Sequence, residues 1–188
     1  MMKGNLMKKL LSIGLAALIL SGCGQAEPQK IELAPDGQYF DAAPVAMLEE
    51  IQRQFPSNTD ITLDTDGDNP GLTIVEPSGA ETYIIAFDGD DKRASGILIS
   101  APVADTDKNE PDEYYLYELP KIVLETMDLP EDGADDLAKS AYRNFVENYY
   151  TSGTATMDGI TCFVSSVTVD GTLSYYNVIA PETNGFWK

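Results

Sequence analysis

Residues 160–180, ITCFVSSVTVDGTLSYYNVIA, decide the fold. They are rich in β-branched and aromatic residues and are broken only at Asp170-Gly171, a dipeptide that supplies the positive-φ positions of a tight hairpin turn. The pattern predicts two antiparallel strands, 160–169 and 172–180. Just upstream, Leu137, Ala141, Phe145 and Tyr149 form one stripe, widened by Ala138, Tyr142 and Val146, which predicts a helix over 134–150 laid on a sheet. Before it, 113–127 carries a second helical pattern with Ile122, Val123 and Met127 inward. Pro120 interrupts it, so that helix is kinked or begins there.

Further back, short strand patterns occupy 61–64, 72–76, 81–87 and 96–101, and 104–112 is a polar loop. The turns at 77–80 and 88–92 join neighbouring strands into a meander. Val45, Leu48, Ile51 and Phe55 mark an amphipathic first helix over 42–55, with Pro44 in its first turn. Helix, strands, helix, helix, strands is not the alternation of a parallel doubly wound sheet. The order predicts an α+β domain in which an antiparallel sheet, a meander plus the C-terminal hairpin, carries about three helices on one face.

The N-terminus is an address. Lys3, Lys8 and Lys9 precede the uncharged apolar run 10–20, which falls short of the roughly 20 residues a membrane span needs. The run closes on Leu20-Ser21-Gly22-Cys23, which resembles the lipobox of bacterial prolipoproteins. That resemblance implies diacylglyceryl transfer to the Cys23 thiol, cleavage after Gly22 and acylation of the new amino terminus. The expected organisation is a cleaved signal peptide, 1–22, a lipidated cysteine and flexible tether, 23–38, and one globular domain, 39–188. The implied location is extracytoplasmic, on the outer face of the cytoplasmic membrane, with the lipid on Cys23 holding the protein there. The mature pattern also loosely resembles small uncharacterised lipoproteins of Gram-positive bacteria, a likeness that carries no catalytic motif.

Charge narrows the partners. The chain has 31 acidic residues against 12 basic ones, three of which leave with the leader, and no histidine. Such a body lacks the basic face that nucleic acid or anionic lipid demands. It suits solubility and stand-off from a negative envelope, or capture of a cationic peptide or protein. With Cys23 lipidated, Cys162 has no disulfide partner, and its apolar strand setting marks it as a small buried hydrophobe.

The chemistry on offer is sparse. Without histidine there is no Ser-His-Asp or Cys-His machinery, and neither GxGxxG nor a Walker loop occurs. Asp64, Asp66 and Asp68 alternate like calcium ligands, yet Asn69 stands where the loop needs glycine and Val75 where it needs glutamate. The segment therefore also reads as a solvated turn. No cofactor is expected. Tyr114, Tyr117 and Tyr150 belong to tyrosine clusters that offer an apolar face and a hydroxyl to a sugar or peptide, or that pack at the edge of the core. Trp187 near the C-terminus either docks on the body or presents an anchor to a partner. The reading is a binding module rather than an enzyme, with an envelope protein, a cationic peptide, a wall fragment or a small solute as ligand. The alternative is a carboxylate-dependent hydrolase of cell-wall polysaccharide, which needs two placed carboxylates and no histidine.

Overall fold

The computed structural model describes residues 29–66, 69–77, 79–89, 92–102, 112–169 and 172–184. Its centre is a seven-stranded antiparallel sheet: β1 (Asp60–Asp64), β2 (Gly71–Val75), β3 (Glu81–Asp88), β4 (Ala94–Pro102), β5 (Ser152–Met157), β6 (Ile160–Val169) and β7 (Thr172–Pro181). The spatial order is β1-β2-β3-β4-β7-β6-β5, so the N-terminal meander and the C-terminal strands are joined where β4 pairs with β7. Val169 pairs with Thr172, which leaves two residues for the hairpin connection. Asp170 and Gly171 themselves lie outside the described residues.

Three helices pack on one face of this sheet. They are α1 (Pro44–Gln54), α2 (Leu119–Leu124) and α3 (Gly133–Glu147), with a π-helical turn, Tyr114–Glu118, leading into α2. The strand alternation sorts the sheet. Leu72, Ile74, Ile84, Ile97, Ile99, Cys162, Val164 and Ile179 face the helices and are buried with Met47, Leu48, Ile51, Leu116, Leu137 and Phe145. Cys162 is fully enclosed, and burial pushes its thiol up to about 12, so it packs as a hydrophobe.

Four local features refine or depart from the sequence expectation. First, of the two outcomes open at Pro120, the helix begins there and is not kinked by it. The proline ring, lacking an N–H, sits in the first turn of α2, and the chain reaches it through the wide π turn, closed by Leu119 N–H bonding the Tyr114 carbonyl. In that register the Tyr115 carbonyl needs the missing N–H of Pro120. Asn177, buried on β7, supplies the donor instead through Nδ2 at 2.6 Å. Asn177→Ala leaves this carbonyl enclosed and unpaired, and the loss expected in urea unfolding is about 2 kcal/mol. An unchanged midpoint would show that the π turn does not depend on this bond.

Second, α3 stops at Glu147, not at residue 150, because Tyr149 and Tyr150 take positive φ values of 54° and 61°. The Tyr150 N–H then closes on the Phe145 carbonyl. Third, β5 is a strand that the sequence pattern did not announce. Of its inward positions, Gly153, Ala155 and Met157, only the last is large, because α3 lies directly on Gly153, so the strand shows little apolar alternation. Fourth, the folded body begins before residue 39. Ile31 bridges to Met127, its N–H bonding the Thr126 carbonyl at 2.8 Å, and Ile31 and Ala34 are buried. Residues 31–38 therefore belong to the body rather than to a flexible tether, because leaving Ile31 and Ala34 in water forfeits their burial.

Candidate functional site

The helix-free face of the sheet presents the most organised surface. Register aligns Thr62, Thr73, Tyr83, Ser100, Tyr176, Ser165 and Ser152 into one row, one residue from each strand. Every member carries a hydroxyl. With strands about 4.8 Å apart, the row runs roughly 30 Å across the sheet. Tyr83 is 39 % exposed and Tyr176 half-buried, with Ser100 between them on β4. Ser165 is turned inward by its bond to the Tyr176 carbonyl, 3.1 Å. Beside this row runs an apolar one, Ile85, Leu98 and Val178, half-buried and directly cross-paired. A hydroxyl band flanked by an apolar band offers hydrogen bonds and contact area together, the combination that recognition surfaces use.

Tyr83 donates its hydroxyl to the Glu81 carboxylate, and that bond raises its pKa. Tyr83 has no adjacent tyrosine to mark it, and only the pairing of β3, β4 and β7 brings it into line with Tyr176.

The tyrosines singled out from sequence do not converge on one groove. Tyr114 is exposed and meets Tyr115 edge-on at 5.2 Å. Tyr115 is a buried residue whose hydroxyl bonds Glu76, and burial, followed by that carboxylate, raises its pKa. Its ring lies 6.3 Å from that of Tyr175, whose hydroxyl accepts the Asp112 N–H at 3.2 Å. Tyr117 stacks with Tyr142 at 6.3 Å and donates to Asp135. Tyr150 turns back on Phe145, with ring centroids 5.9 Å apart. Trp187, like Cys23 and Asp68, lies outside the described residues.

Of the acidic triplet, Asp64 ends β1 and accepts the N–H of Asp66 at 2.9 Å, so one of its oxygens serves the turn. Among the described residues, no three His, Cys, Asp or Glu side chains gather as metal ligands.

A cleft of about 460 Å³ lies where the N-terminal segment, α2 and the start of α3 meet, lined by Lys30, Lys121, Glu125, Met127, Leu129 and Asp135 among others. Its lysines are engaged. Lys30 bonds the Glu125 carbonyl, and Lys121 stands 3.5 Å from Asp135 and 4.0 Å from the Glu125 carboxylate. The Tyr117 hydrogen bond, aided by Lys121, holds the Asp135 carboxyl below its ordinary value, while the same bond pushes Tyr117 up to about 12. The signs follow from linkage. The Asp135 contribution is complete above its unfolded pKa and is lost as pH falls through the lowered one. The Tyr117 contribution is complete below its ordinary value of 10.0 and is lost as pH rises toward 12. In Asp135→Asn, ultraviolet titration should find Tyr117 ionising nearer its ordinary value; an unmoved titration would mean that the pair does not form in solution.

Compared with known proteins, the chain matches no family model, no curated protein and no solved structure at a significant level.

Proposed function

We propose that this protein is a membrane-anchored, extracytoplasmic lipoprotein whose α+β domain is a binding module, and that the ligand is met on the outer face of the sheet. The lipobox-like Leu20-Ser21-Gly22-Cys23 supports the anchor, with the outer face of the cytoplasmic membrane as its place. The observation that carries the binding role is the hydroxyl row beside the Ile85, Leu98 and Val178 row, on a face that the helices leave open. A solvent-facing strand surface ordinarily alternates to charged or polar residues. Here three neighbouring strands hold half-buried aliphatic side chains in register, which favours a partner that covers them.

The test is in-cell cross-linking of the full-length protein, followed by mass spectrometry, beside a Tyr83→Ala, Tyr176→Ala double variant. An envelope partner recovered reproducibly and lost in the variant, with the variant still folded, is the expected result. Equal recovery in both overturns this face as the site.

A further inference from the structure

The two edges of the sheet are finished differently. At one edge, α3 reaches β5 with two side chains a helical turn apart: Asn144 Nδ2 donates to the Thr154 carbonyl at 2.7 Å and Asn148 Nδ2 to the Ser152 carbonyl at 3.1 Å. Backbone acceptors of that edge strand are thereby occupied by its own helix. At the other edge, β1 pairs with β2 from Asp60↔Val75 to Asp64↔Gly71, and among the described residues no strand pairs beyond it. An open edge presents N–H and C=O groups spaced for one more strand.

The side chains of β1 select what that strand is. Asp60, Thr62 and Asp64 are exposed on the outer face, whereas Ile61 and Leu63 are half-buried against the core. An added strand sets its own side chains about 5 Å from those directly opposite. Cations suit the places opposite Asp60 and Asp64, and apolar residues suit those opposite Ile61 and Leu63. A second copy of the same edge is disfavoured: pairing antiparallel about Thr62 would face Asp60 with Asp64 twice, and like charges opposite each other destabilise a ladder. The charge of the whole domain acts in the same direction, since 31 acidic residues steer basic segments toward it.

We propose that β1 is a docking edge for an extended basic segment of an envelope protein, with the alternating pattern cation, apolar, polar, apolar, cation, taken up as an eighth strand. This rests on the reading of the domain as a binding module and names the partner's chemistry. The added strand continues the hydroxyl row outward from Thr62, so the edge and the outer face form one surface.

The test titrates the full-length protein in detergent micelles with a blocked nine-residue probe, Lys-Val-Thr-Val-Lys-Val-Thr-Val-Lys, and follows hydrogen exchange of residues 60–64. Binding that slows these amides, weakens with salt, and falls about tenfold or more in an Asp60→Lys, Asp64→Lys variant with unchanged circular dichroism is the expected result. A probe with alternate amides N-methylated should bind far more weakly. Equal binding of that probe overturns the proposal, because it means attraction without strand pairing. So does binding that leaves residues 60–64 unprotected. Failure of the probe while cross-linking still recovers a partner overturns the docking edge alone; failure of both overturns the binding-module reading as well.

Discussion

Gly153→Val is expected to cost about 3 kcal/mol or more of stability, a large part of what a domain of this size possesses. The reason is backbone against backbone. A Cβ placed on Gly153 would lie 2.1 Å from the Ala141 carbonyl oxygen and 2.2 Å from the Phe145 nitrogen, both within α3. Neither atom belongs to a flexible side chain that could swing aside. The helix must lift by about 1 Å or more to restore ordinary contact distances, and it carries Leu137, Ala138, Ala141 and Phe145 out of the core as it goes. The Asn144 and Asn148 bonds to β5 stretch with it. Gly153 has no positive φ, so the requirement comes from close approach, not from backbone freedom. Urea denaturation should show a much lowered midpoint for Gly153→Val and a smaller but clear loss for Gly153→Ala. Thr154→Val, on the exposed outer face next to it, should stay within about 0.5 kcal/mol. Equal midpoints for the glycine variants and the parent would mean that α3 does not rest on β5.

Cys23→Ser is expected to release the protein from the membrane altogether. Under the proposed lipoprotein reading, a serine hydroxyl lacks the thiolate nucleophile that would accept the diacylglyceryl group, and the anchor would be the sum of its acyl chains at about 0.8 kcal/mol per buried methylene. One chain holds a protein only marginally, whereas two or more hold it firmly. Nothing in the described body replaces them, since among the described residues no helix is long and apolar enough to cross a membrane. The acidic surface offers anionic lipid no attraction either. Fractionation after labelling with a radioactive fatty acid reads the outcome: label and membrane association in the parent, neither in the variant. A labelled Cys23→Ser protein would remove the lipoprotein reading.

Much of this molecule is local in origin. Strand alternation in 160–180, the Asp170-Gly171 pause, and the apolar stripes of α1 and α3 depend on neighbours within one turn or one hairpin, and so they are written in the chain. They predict an antiparallel sheet with its helices on one side, which is the architecture observed. The lipobox-like motif is local too, and the proposed anchor rests on it without reference to the fold.

Tertiary structure decided what depends on partners far apart in sequence. The junction of β4 with β7 unites two blocks separated by more than a helical pair, and no short-range pattern specifies it. β5 was hidden because the pressure on Gly153 is to be small beneath a helix, which erases the signal of a strand. The Tyr115 carbonyl finds its donor in Asn177, 62 positions away. The hydroxyl row exists only because six registers agree, and the open edge exists only because α3 closes one side of the sheet and not the other. Sequence alone determined the kind of elements and their faces, because hydrophobic periodicity and turn chemistry act over a few residues. Strand order, the faces of the tyrosines and the surface left for a partner were settled by packing, because they are sums over contacts that form only when the whole chain has closed.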